Sequence, residues 1–141
     1  MVKNDGSVSN EEACWKELIN GLGERVLGDK GVFDDFYLND FDYLRDTCGY
    51  NKSSAEVISL LRSHGVRRVL ATNPLFPSQA TKKRIVWAGL EVDSFEYVSV
   101  YENSHFSKPN LKYYLEILEK LGLRAEVQSL RSHMPCAPKN K

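Results

Sequence analysis

Val66-Arg67-Arg68-Val69-Leu70-Ala71-Thr72-Asn73-Pro74 and, further on, Tyr101-Glu102-Asn103-Ser104-His105-Phe106-Ser107-Lys108-Pro109-Asn110 bracket the stretch that decides the fold. Val66 to Ala71 is a short apolar run ending in Thr72, and a second such run, Phe95 to Val100, ends just before the second polar segment. Between them Pro77 suits the first turn of a helix carrying Ala80, Ile85 and Trp87 and closed by Gly89. The order strand, polar tip, helix, strand, polar tip, helix predicts a parallel α/β unit. A right-handed crossover puts both strand C-terminal ends on one edge of the sheet, where ligands usually bind. Thr72, Asn73 and Lys108 are therefore expected to converge there.

Outward from this unit, Asn110 is read as the N-cap of a helix from Leu111 to Leu121, with Tyr114, Leu115, Ile117, Leu118 and Leu121 inward and Gly122 as its stop. Upstream, Ser53-Ser54-Ala55-Glu56 reads as a capping box opening a helix with Val57, Ile58, Leu60 and Leu61 inward and Gly65 at its end. Further upstream, Ser9-Asn10-Glu11-Glu12 is another capping box. It predicts a helix bearing Cys14, Trp15, Leu18, Ile19 and Leu22, stopped by Gly21 and Gly23. A second helical period from Val32 to Leu44 places Val32, Phe33, Phe36, Tyr37, Phe41 and Leu44 near one face, packed against the first helix. Beyond Gly122, Glu126 to Leu130 is at most a weak strand. The basic, proline-containing end from Arg131 reads as a loose tail.

The 141 residues are about one domain's length. Lys plus Arg equals Asp plus Glu at 19 each, so overall charge draws the chain neither to nucleic acid nor to an anionic membrane. No apolar run approaches the roughly 20 residues of a membrane span, and the polar start does not read as a signal peptide. Cys14, Cys48 and Cys136 are odd in number and widely spaced. They fit free thiols of a cytoplasmic protein better than a disulfide framework or a zinc site. His64, His105 and His133 lack metal-ligand spacing.

A hydroxyl and an amide at a strand end, facing an ammonium at a helix start, suit an anion, with Thr72 donating to phosphate oxygens and Lys108 adding charge. Ala71-Thr72-Asn73-Pro74, Trp87-Ala88-Gly89-Leu90 and Ser107-Lys108-Pro109-Asn110 with Tyr113, Tyr114 and Leu118 resemble the second and third motifs of the haloacid dehalogenase-like hydrolase superfamily. Residues 9 to 50 resemble its mobile cap, and the likeness runs to about residue 123. It implies a partial Rossmann-like parallel sheet in residues 53–123 and a helical cap-like segment in 1–52, while the composition makes 124–141 a loose basic tail. It also implies magnesium-dependent hydrolysis of a phosphorylated small molecule, with Thr72 hydrogen-bonding the phosphoryl oxygens and Lys108 neutralising charge on nucleophile and phosphoryl group.

The pattern departs from the family at the nucleophile. Lys3-Asn4-Asp5-Gly6-Ser7 imitates the second half of the aspartate motif, but Lys3 stands at the nucleophile's place. Asp40-Phe41-Asp42 and Gly28-Asp29 with Asp34 and Asp35 fall in helical or cap sequence, and all of these are read as decoys. The acidic metal motif has no counterpart near Glu126, so the residues that would hold magnesium are missing from the pattern. The chain is thus expected to be a truncated hydrolase not competent alone, one piece of a split enzyme, or a non-catalytic relative that binds an anion or a protein. An open sheet edge calls for a complementing chain, a second copy or the tail to cover it.

Overall fold

The computed structural model describes residues 4–124. The expectations for Lys3, Glu126 to Leu130, His133, Cys136 and the basic tail lie outside those residues. Among the described residues are five α-helices and one two-stranded parallel sheet: α1 (Asn10–Leu22), α2 (Lys30–Asp35), α3 (Lys52–Ser63), β1 (Val69–Leu70), α4 (Ser78–Trp87), β2 (Tyr97–Val98) and α5 (Leu111–Lys120). Helix dominates, and the α/β character rests on the β1–α4–β2 unit, with Val69 opposite Tyr97 and Leu70 opposite Val98. The paired strands are shorter than Val66 to Ala71 and Phe95 to Val100. The chain turns straight after Leu70, where the Thr72 amide donates back to the Leu70 carbonyl at 3.1 Å.

Local chemistry explains the helix ends. The Ser9 side chain accepts from Glu12 N–H, and the Glu12 carboxylate accepts from Ser9 N–H at 2.8 Å, forming the expected capping box. Gly23 (φ 84°) closes α1, whereas Gly21 lies inside the helix and stops nothing. The cap of α3 is Asn51, whose side chain accepts from Ser53 N–H, rather than a Ser53–Glu56 box. Asn51 directly precedes the first helical residue, where its side-chain oxygen can reach an orphan amide, whereas Ser53 already lies inside the helix. Asn110 caps α5 as expected.

The buried residues come mainly from α4 (Ala80, Thr81, Ile85), the segment after β2 (Ser99, Val100, Ser104) and α5 (Tyr113, Ile117), with Ala13 of α1, Val26 and Phe41 added from the N-terminal part. Each large apolar side chain buried there contributes on the order of 1.5–3 kcal/mol. Among the described residues, every buried side-chain polar atom has a hydrogen-bond partner.

The core is smaller than the sequence periodicity implies. From Lys30 to Thr47 the chain is one irregular helical run, α then π then 3₁₀, so no single face persists. Val32, Phe33, Phe36 and Leu44 are exposed and only Phe41 is buried, although Trp15 of α1 does meet Phe33 edge-on at 5.4 Å. Val57 and Leu60 of α3 and Tyr114 and Leu115 of α5 are also exposed. A helix of α3's length runs about 18 Å, whereas a two-residue strand offers about 7 Å. The described sheet is too small to cover these helices.

Candidate functional site

Because β1 and β2 are parallel, the residues leaving each strand arrive on the same edge. There the Thr72 hydroxyl donates to the Ser99 carbonyl at 2.8 Å, while the Ser99 hydroxyl lies 3.0 Å from the Thr72 carbonyl, lacing the two exits together. Tyr113, fully buried in the first turn of α5, sits beneath this lace. Its hydroxyl is 2.8 Å from Ser99 Oγ and donates to the Thr72 carbonyl. Burial raises the Tyr113 phenol above its usual range, against the hydrogen bond from Ser99, so it stays protonated as a donor.

Lys108 reaches the same edge from the loop between β2 and α5. Its backbone N–H donates to Asn73 Oδ1 at 3.2 Å, its Nζ donates to the Ala71 carbonyl at 2.6 Å, and the Tyr113 ring centroid lies 5.7 Å from the ammonium. The Lys108–Pro109 peptide is cis. The structure therefore brings Thr72, Asn73 and Lys108 together.

The loop is held at several points. Asn103 accepts from Val100 N–H at 2.9 Å and donates to the Val98 carbonyl at 2.9 Å, folding the chain back immediately after β2. Asn10, the first residue of α1, donates through its side chain to the Phe106 carbonyl at 3.2 Å, and its backbone N–H donates to the Ser104 carbonyl at 2.8 Å. Between α1 and this loop lies an open groove of about 780 Å³ lined by Asp5, Lys16, Glu17, Ser107 and Asn110 among others. A smaller cavity of about 230 Å³, with Cys14, Pro74, Leu75 and Tyr101 in its wall, shares Ser107. Burial pushes the Cys14 thiol up, which makes it a poor thiolate.

Chemically the arrangement is cationic. Among the described residues no carboxylate forms an ion pair with Lys108. Of an ammonium's donors one is taken by Ala71, and the others have no protein partner among the described residues and can serve an anion. Thr72 is less available than its sequence position implies, since its hydroxyl proton is committed to Ser99 and its amide to Leu70. The Asn73 side-chain N–H₂ has no protein partner among the described residues and is the second donor at the site.

Three of the carboxylates singled out in the sequence, Asp5, Asp35 and Asp42, are engaged elsewhere. Asp5 accepts from Ser7, whose side-chain and backbone donors hold its carboxyl below the usual range. Asp42 is tied to Lys83 at 2.6 Å and to Trp87 Nε1 at 3.2 Å, fastening residues 41–47 to α4, and the Lys83 bond lowers its pKa. Asp35 accepts from Asn39 at 2.6 Å. The described residues contain no group of three or more His, Cys, Asp or Glu side chains that could hold a metal ion. The magnesium site that the resemblance implies therefore has no counterpart among the described residues. The described residues also contain no helix long and apolar enough to cross a membrane.

Sequence reasoning missed Ser99, Asn103 and Glu116. Asn103 carried a signal, since an Asn directly after a strand is a loop former. Ser99, inside an apolar run, and Glu116, on a helix face, carried none until their partners were placed. No family model, curated protein or solved structure matches the chain.

Proposed function

We propose that the chain is the cap and phosphate-binding portion of a haloacid dehalogenase-like phosphohydrolase with a Rossmann-like arrangement, taking the phosphoryl group of a phosphorylated small molecule at Lys108. The observation that carries this reading is the Lys108 ammonium, held at the Ala71 carbonyl on the strand-end edge without a carboxylate partner among the described residues. A half-buried cation without a counter-charge is a standing site for an anion. Asn73 adds a neutral donor, and Tyr113 stiffens the strand exit beneath. Thr72 joins the anion only if its hydroxyl turns away from Ser99.

A second reading has its own support. With no described carboxylate paired to Lys108 and the Thr72 proton engaged, the described residues are equipped to bind an anion rather than to attack it. This favours either a non-catalytic anion-binding relative or a hydrolase whose aspartate arrives on a complementing chain or second copy.

The test is calorimetric titration of inorganic phosphate into the purified chain and into Lys108→Ala. One lost charge-assisted hydrogen bond amounts to about 1.5–3 kcal/mol, or roughly 10- to 150-fold in affinity. Equal affinity in the two proteins refutes the assignment. Hydrolysis of an aryl phosphate by the chain alone, abolished in Lys108→Ala, would decide against the binding-only reading.

A further inference from the structure

Glu116 is the most heavily engaged carboxylate among the described residues, and its partners lie on the loop that delivers Lys108. Its side chain is only 12% exposed. It accepts the His105 backbone N–H at 3.0 Å through Oε2 and the His105 imidazole Nδ1–H at 2.7 Å through Oε1, and Lys120 donates to Oε1 at 2.8 Å. Burial raises its pKa, yet the bonds from His105 and Lys120 outweigh that and leave the carboxyl below its usual value. His105 precedes Lys108 by three residues, and Lys108 is fixed on its far side by Asn73 and Ala71. The loop is thus clamped on both flanks of its tip.

The geometry points to Glu116 as a positioning residue: it latches the start of the 104–110 loop to α5 so that Lys108 is presented at the Ala71 carbonyl. The assignment rests on the phosphate-binding reading of Lys108, but the latch itself is testable without any ligand. Glu116 touches neither Lys108 nor the anion. Its action runs through backbone geometry, as in binding sites whose supporting residues hold the contacting ones in place.

Two readouts separate this role from general stabilisation. The first is hydrogen exchange at Lys108 N–H, which Glu116 does not contact. Glu116→Ala accelerates that exchange by about tenfold or more while amides in α4 keep wild-type protection. If the Lys108 amide is unchanged, or if α4 accelerates to the same degree, the latch is refuted.

The second is a double-mutant cycle read by inorganic phosphate affinity. Glu116→Ala weakens phosphate binding by about threefold to tenfold in the wild-type background and has no further effect in Lys108→Ala, because its influence passes through that ammonium. Additive losses would show that Glu116 acts independently of Lys108 and would overturn the assignment. If Lys108→Ala itself leaves phosphate affinity unchanged, the phosphate reading fails while the exchange experiment still judges the latch. Should Glu116→Ala not fold, Glu116→Gln, which keeps one acceptor for His105, gives the same pattern at smaller amplitude, and its absence there overturns the proposal.

Discussion

Replacing Phe41 by alanine should free the irregular helical run 30–47 from the rest of the molecule. Phe41 is the one buried side chain in that run, 6% exposed, with its ring stacked on Trp87 of α4 at 5.1 Å and flanked by Phe36 and Tyr37. Truncating a buried Phe costs about 3–5 kcal/mol, and exposed neighbours free to collapse into the gap place this site at the low end, about 3 kcal/mol. The polar fastening beside it, Asp42 to Lys83 and Trp87, has its carboxylate in solvent, where water and salt screen it, so it contributes less than the buried ring. Apolar contact should therefore decide the docking. Native-state hydrogen exchange over residues 36–47 measures the difference directly. Phe41→Ala should raise the opening constant of that segment roughly 150-fold, and Asp42→Ala by less than about fivefold, with α5 little affected in either. If the two variants open the segment equally, or Asp42→Ala opens it more, the reasoning that burial outweighs the ion pair here is wrong.

Tyr113→Phe keeps the buried ring and removes the hydroxyl that donates to the Thr72 carbonyl, so urea unfolding should show a loss of about 1–2 kcal/mol. Ser99 still lies 3.0 Å from that carbonyl, which prevents a larger cost. Glu116 contributes to stability through a lowered pKa, so its contribution is fully present above the ordinary value of 4.5 and disappears as pH falls through the lower folded value. The stability gap between the wild-type chain and Glu116→Gln, followed by chemical denaturation, should accordingly narrow below about pH 4.5 and stay flat above pH 6. Gly6→Ala places a methyl 2.2 Å from Phe106 Cζ at a residue with φ +94°, and limited proteolysis should cut the segment before α1 faster in that variant.

Local chemistry was legible and long-range completeness was not. The boxes and caps at Ser9 and Asn110, and the glycine stops at Gly23, Gly65 and Gly89, depend on neighbours within a turn, and they stand as the sequence implies. The convergence of Thr72, Asn73 and Lys108 was also readable, because strand order alone places two parallel exits on one edge. The inward faces were misread for a physical reason. A period of three and four residues says which side chains share a face, but burial requires a surface opposite that face. Val57, Leu60, Tyr114 and Leu115 have the right period and remain exposed. The Thr72 hydroxyl shows the same limit at the site, since its position was readable but its bond to Ser99 was not.

The exposed periodic residues bear on function through the same geometry. Among the described residues α3 and α5 precede and follow the only strand pair, each keeps apolar side chains in solvent, and Lys108 at the sheet edge has no carboxylate partner. One added strand carrying a carboxylate at its end would extend the sheet beneath uncovered helix faces and bring an acid toward the ammonium. On the split-hydrolase reading, the exposed helix faces and the unpaired ammonium of the described residues share one solution, and this distinguishes that reading from the binding-only one. A complementing chain or second copy that restores hydrolysis should also protect Val57, Leu60, Tyr114 or Leu115 from solvent and shift the Lys108 ammonium resonance. A pure anion binder should take up phosphate with these side chains still exposed. Carbene footprinting with and without the added partner reads the first effect, and nitrogen-detected magnetic resonance of Lys108 reads the second. Hydrolysis gained on adding a partner, with neither change, would refute the link that the split-hydrolase reading draws between the described sheet edge and an incoming carboxylate.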